Sequence, residues 1–201
     1  MKIICYGDSN TYGYDPRSFV GGKYDTVWTD LLAEKTGAAV MSLAMPGRQI
    51  PFRRRPLDAM HEQITEHVDL LVIMLGSNDI EASLNVQLVE ARMSAMIREV
   101  KRWDIASHIL LVGPPELRVT RQHLEASHEM NAAFEKLAAK ENIDYVDASS
   151  WELELCFDKT HLTEADQQVF ADELAKVINE IGGTYNGETD NSEAISSVGI
   201  R

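Results

Sequence analysis

Four side chains in this sequence could act together on an ester or similar carbonyl: Ser9, Asn78, Asp158 and His161. A serine hydroxyl is a poor nucleophile until a base takes its proton, and an imidazole suits that task near neutral pH. Ser9 stands in Tyr6-Gly7-Asp8-Ser9-Asn10 and His161 in Asp158-Lys159-Thr160-His161. A carboxylate three residues before the histidine can reach its far ring nitrogen, fixing the tautomer and stabilising the imidazolium that forms, while the near nitrogen faces Ser9. Asn78, in Leu75-Gly76-Ser77-Asn78-Asp79, could donate its amide hydrogens to a developing oxyanion. Gly47, in Met45-Pro46-Gly47-Arg48, can offer a backbone N–H to a ligand without steric cost. Each segment has a plain structural alternative. Gly-Asp-Ser also reads as a helix cap, the Asn-Asp and Pro-Gly pairs read as turns, and His161 is one of six histidines.

What joins them is the pattern of elements around them. Nearly continuous apolar runs at 2–6, 39–43, 70–75 and 108–112, with a weaker one at 143–146, read as parallel strands covered on both faces. Between them, apolar residues three and four apart predict helices over 28–35, 86–103, 124–140 and 164–181. Thr163-x-x-Asp166 resembles a capping box for the last helix, and Gly182-Gly183 is the expected stop. The segment 50–67 has no clear reading, because Pro51 and Pro56 interrupt its beginning. Strands alternating with helices give an α/β fold, a three-layer α/β/α sandwich on a five-stranded parallel sheet. Right-handed crossovers then put every strand's carboxyl end on one edge, where all four chemical segments arrive.

The combination resembles the SGNH hydrolases, also called the GDSL esterase/lipase family, over residues 2 to about 181. Gly7-Asp8-Ser9-Asn10 resembles the first block of that family, Gly76-Ser77-Asn78-Asp79 its third, and Asp158-x-x-His161 followed by Leu162-Thr163 its fifth. Gly47 would be the second-block glycine. The resemblance implies a flavodoxin-like sheet and ester hydrolysis through an acyl-enzyme. Ser9 would be the nucleophile, His161 the base and Asp158 its orienter. The Ser9 and Gly47 N–H groups and the Asn78 side chain would form the oxyanion hole. Two spellings, 7–14 and 72–79, look like the arylesterase/acyltransferase subgroup, whose members tend to be oligomeric and to prefer short acyl chains. The expected activity is hydrolysis of small short-acyl or aryl carboxylic esters. A carbohydrate O-deacetylase or acyl thioesterase would share the triad, and a non-catalytic ligand-binding α/β domain is the alternative of another class.

Other residues carry less. Arg48 and Tyr12 are candidates to line the substrate pocket, with Tyr14 and Trp28 as further wall residues, although core packing accounts for Trp28 equally well. Asp8 and Asp79 read as structural supports, and Arg53-Arg54-Arg55 as a solvated loop or subunit contact that could bind an anionic substrate group. No metal-ligand spacing or phosphate-cradling loop is present, so no metal or cofactor is expected. A net charge of −13 disfavours nucleic acid and anionic lipid. The short apolar start, the lack of a long apolar run and only two cysteines, Cys5 and Cys156, point to a cytoplasmic protein without a membrane span. One domain over 1–182 is expected. Residues 183–201, poor in large apolar groups, read as a tail, flexible or ordered by an oligomer partner.

Overall fold

Strands that are apolar without alternation need cover on both faces, and the computed structural model supplies it. Residues 1–190 are described, with the backbone alone for 182–190. The chain runs β1 (Lys2–Gly7), α1 (Ser9–Tyr12), β2 (Tyr14–Asp15), β3 (Gly22–Lys23), α2 (Trp28–Thr36), β4 (Ala39–Ala44) and α3 (Arg54–Gln63). It continues through β5 (Val68–Met74), α4 (Ser77–Ser83), α5 (Val86–Trp103), β6 (Ala106–Gly113), α6 (Arg121–Glu141) and β7 (Asp144–Asp147). A 3-10 turn at Ala148–Trp151 and α7 (Glu164–Asp190) complete it. Five strands form one sheet in the order β4-β1-β5-β6-β7, every pair parallel. This is the expected α/β sandwich with a flavodoxin-like sheet.

The alternation of side chains across each strand divides the core in two. Ile3, Cys5, Leu70, Val72 and Met74 face one layer with Trp28 and Leu32 of α2 and Phe170 and Leu174 of α7. Ile4, Tyr6, Leu71 and Ile73 face the other, against Met60 of α3, Met93 and Met96 of α5, and Met130 and Phe134 of α6. The three central strands are buried on both sides, which is why their sequences are unbroken apolar runs. The edge strands β4 and β7 have half-buried or exposed positions throughout, and that partial cover explains the weak signal of 143–146.

Three elements differ from the expectation. Helix α3 forms within the unclear segment: Pro56 is its third residue, where the missing N–H would have had no helical partner. Helix α6 starts at Arg121 rather than 124, because Thr120 Oγ1 accepts the His123 N–H and caps it. Gly182-Gly183 does not stop α7, whose backbone stays helical to Asp190. A glycine costs helix stability but keeps its N–H and does not force a break unless it turns left-handed. Of the proposed tail, residues 191–201 lie outside the described residues.

The capping signal at 163–166 has a twist. Asp166 N–H donates to Thr163 Oγ1 at 3.2 Å, and the Thr163 hydroxyl donates back to the Asp166 carboxylate. The other carboxylate oxygen accepts the Glu154 N–H, tying the start of α7 to the loop before it.

Leu71 is fully buried in β5, whereas Met41 on the edge strand β4 is 50% exposed. Leu71→Ala is therefore expected to cost about 2–5 kcal/mol in urea unfolding, and Met41→Ala no more than about 0.5 kcal/mol.

Candidate active site

The five-strand order places a topological switch beside β1, whose chain neighbours leave to opposite sides, β4 on one flank and β5 on the other. Loops that follow β1, β4 and β5 therefore splay apart at the carboxyl edge and leave a crevice between them. Those loops carry Ser9, Gly47 and Asn78.

Ser9 opens α1, a single helical turn. Asp8 caps it by accepting the Asn10 N–H at 3.0 Å, and Gly13 closes it in the left-handed conformation with φ +76°. The His161 loop approaches from the far end of the chain. His161 Nε2 lies 2.9 Å from Ser9 Oγ, and His161 Nδ1 lies 2.6 Å from Asp158 Oδ2. The second Asp158 oxygen accepts the backbone N–H groups of Thr160 and His161, both at 3.1 Å. Burial works to raise the Asp158 pKa, but the His161 ring and these two N–H groups outweigh it and hold the carboxyl below its ordinary value. Asp158 therefore stays ionised as it faces the imidazole. Tyr14 covers the ring on one side, its centroid 4.7 Å away.

Asn10 is a contact that sequence reading passed over. Its side-chain oxygen accepts the Leu162 N–H at 3.0 Å and its amide donates to the Thr160 carbonyl at 3.1 Å, so it grips the backbone on both sides of His161. Its own carbonyl accepts from the Trp28 indole at 3.0 Å, which gives buried Trp28 a role in holding α1. The signal available in the sequence was only that Asn follows the serine.

On the other flank, Gly76 enters α4 with φ +126°, and a Cβ there would lie 2.6 Å from Met130 Sδ. Only glycine fits this turn, and it presents Asn78 at the crevice. The Asn78 amide donates to the Arg48 carbonyl at 3.0 Å and to Asp8 Oδ2 at 3.3 Å. Gly47 occupies a left-handed turn at φ +75°, closed by the Arg48 N–H bonding the Met45 carbonyl at 3.1 Å. Asp79 is fully buried, where its two oxygens take the Ile50 N–H at 2.9 Å and Arg92 at 2.6 Å. It thus ties the loop after β4 to α4 and α5.

The two pocket candidates, Arg48 and Tyr12, each have a partner within the fold. The Arg48 guanidinium is buried, donates to the Gly7 and Leu43 carbonyls and stacks 4.1 Å from the Tyr6 ring centroid. It pins the carboxyl ends of β1 and β4 together from within. Tyr12 is half-buried, with Lys23 Nζ 5.6 Å from its ring centroid. Burial raises the Cys5 thiol pKa strongly, so it is an inert core group. Cys156 sits 3.3 Å from the Tyr24 hydroxyl. Among the described residues no group of three His, Cys, Asp or Glu could hold a metal, and no helix is long and apolar enough to cross a membrane.

Fold and crevice together define an SGNH-type hydrolase, an enzyme acting on carboxylic esters. The chain belongs to the GDSL-like Lipase/Acylhydrolase family, whose model matches residues 5–169. Among curated protein sequences no relative matches. Solved structures are similar in fold. A carbohydrate acetylesterase from Sinorhizobium meliloti is 19% identical with TM-score 0.76, over 90% of this chain and 99% of its own. The aryl esterase of M. smegmatis is 22% identical with TM-score 0.75, over 89% and 98%. A putative arylesterase from Agrobacterium tumefaciens is 23% identical with TM-score 0.77, over 90% and 99%.

Two predictions concern the supports. Asn10→Ala should lower kcat by about 10–100-fold with a smaller change in KM, since the His161 loop loses its grip on α1. Burial, the largest influence, pushes the Asp8 carboxyl up to about 7, against the Asn10 N–H and Arg48 and with help from Glu81 and Asp79. A carboxyl raised on folding stabilises the fold at acid pH, and that contribution is lost as pH climbs from about 4 through 7. Urea unfolding at pH 5 and pH 8 should therefore show a smaller loss of stability with rising pH in Asp8→Asn than in the parent. An equal loss would mean that Asp8 ionises as freely in the folded protein as in the unfolded chain.

Proposed function

We propose that the protein hydrolyses small short-acyl or aryl carboxylic esters through an acyl-enzyme on Ser9. The observation that carries this reading is the continuous path Asp158–His161–Ser9, at 2.6 and 2.9 Å, set beside Asn78. His161 takes the Ser9 proton as Oγ attacks the carbonyl carbon. The tetrahedral oxyanion is held by the Ser9 and Gly47 N–H groups and the Asn78 amide. Its collapse expels the alcohol, which leaves with the proton from His161. Water, deprotonated by His161 in turn, then attacks the acyl-enzyme, releasing the acid and restoring Ser9.

Asn78 already spends its amide hydrogens on the Arg48 carbonyl and Asp8. The Asp8 contact is the longer of the two, and it is the one that yields to an oxyanion. The small-ester reading also draws on the family and on the aryl and carbohydrate acetylesterases of similar fold. An oligomeric enzyme, as its subgroup resemblance implies, and a cytoplasmic one, as its apolar runs and cysteine usage suggest, are part of the same proposal.

A fluorophosphonate probe should label the parent protein and fail to label Ser9→Ala of equal melting temperature; labelling retained in that variant would end the assignment. Asn78→Ala should lower kcat for 4-nitrophenyl acetate by about 10²–10³. Comparing kcat/KM for 4-nitrophenyl acetate, an acetylated xylose and a short acyl-CoA separates esterase from deacetylase and thioesterase, and a clear win by either of the latter two would overturn the preference stated here.

A further inference from the structure

A cleft of about 490 Å³ lies alongside the crevice on the β4 side. Met45, Ile50, Pro51, Phe52 and Met60 give it apolar walls, and both Gly47 and the exposed Arg53 belong to its lining. Its wall is continuous with the site: the Arg48 carbonyl takes the Asn78 amide, and the Gln49 side chain donates to the Asn78 carbonyl at 3.3 Å.

The two faces of the sheet decide which part of a substrate can enter. Ile50 and Met60 belong to the core layer that packs on α3, α5 and α6. Leu162, next to His161, belongs to the opposite layer with α2 and α7. The departing alcohol must lie near His161, which protonates it. With the carbonyl oxygen directed at Gly47 and Asn78, the remaining substituent, the acyl chain, points away from His161 and toward the cleft.

The cleft's charge is unusual for this chain. Against a net charge of −13 it is bordered by Arg53-Arg54-Arg55. Arg54 pairs with Asp58 at 3.5 Å, but Arg53 and Arg55 have no acidic partner among the described residues. Arg53 rests 5.2 Å from the Phe52 ring centroid, and Arg92 covers the same ring at 4.5 Å. The Arg53 charge is thus steadied on an aromatic wall of the cleft with nothing to neutralise it.

We propose that this cleft receives acyl groups that end in an acidic group, and that Arg53 pairs with that group. The inference rests on the acyl-enzyme reading above and names a substrate class for it: esters of dicarboxylic acids in which the second carboxylate is free. Neutral chains gain only the apolar walls, whereas an acidic end also satisfies Arg53.

The test compares mono-4-nitrophenyl adipate and suberate with the neutral 4-nitrophenyl hexanoate and octanoate of matching length, with 4-nitrophenyl acetate as the reference. The parent enzyme should favour at least one acidic ester over its neutral match by about fivefold in kcat/KM. The advantage should shrink in 0.5 M salt, to an extent set by screening. In Arg53→Gln the acidic-to-neutral ratio should fall to about one, while Arg53→Lys keeps part of it and the control Arg54→Gln keeps it whole. Hydrolysis of acetate and hexanoate without any preference for the acidic esters would overturn this inference and leave the esterase reading standing. A preference that survives in Arg53→Gln would equally overturn it. Failure on every ester, acetate included, would bring down the esterase reading and this inference with it.

Discussion

The active edge depends on one amide side chain. Asn10 holds the backbone on both sides of His161, some 150 residues away in sequence, while its own carbonyl is held by Trp28. Ser9 and His161 come from opposite ends of the chain, Ser9 on the single turn of α1 and His161 on a loop with little regular structure of its own. Without a direct tie, a 2.9 Å contact between them would rest on two independently moving segments. The Asn10 bonds replace that freedom with a fixed spacing, as a reaction sensitive to fractions of an ångström requires. Asp158 does the same within its loop, since one carboxylate oxygen holds two N–H groups and leaves the other for the ring.

A second set of contacts holds the opposite flank, and its members are ionisable groups out of water. Asp8, Arg48 and Asp79 are all buried: Arg48 is met by two backbone carbonyls, and each aspartate by one backbone N–H and one side chain. Burying them is costly unless every polar atom is met. Here the cost secures the ends of β1 and β4, the loop to Ile50 and the start of α4 against one another. Burial lowers the Arg48 pKa and raises those of Asp8 and Asp79, the three groups that carry this flank. The proposed chemistry thus rests on a base of buried, hydrogen-bonded ionisable groups.

The sheet was legible because its central strands are apolar on both faces, and the helices because their stripes repeat at helical period. Ser9, Asn78, Asp158 and His161 could be located by type and spacing, and the fold brings all four to one crevice. Local chemistry misled in predictable places. Pro56 obscured α3 because a proline inside a first turn looks in sequence like one that breaks a helix. Gly182-Gly183 looked like a stop because glycine permits a left-handed cap without compelling one. The carbonyls of β1 and β4 set the direction of the Arg48 side chain, which no spacing reveals. Asn10 was overlooked for a similar reason: its partners lie at the other end of the chain.

The position of β1 in the middle of the sheet has a consequence in time. The first strand to be synthesised is flanked by β4 and β5, and the last helix packs beside it. A growing chain therefore presents Ser9 long before His161 exists, and at about 5–20 residues per second the two stay apart for several seconds or more. The proposed acyl transfer, which needs both side chains, is thus withheld until the segment carrying His161 has been made.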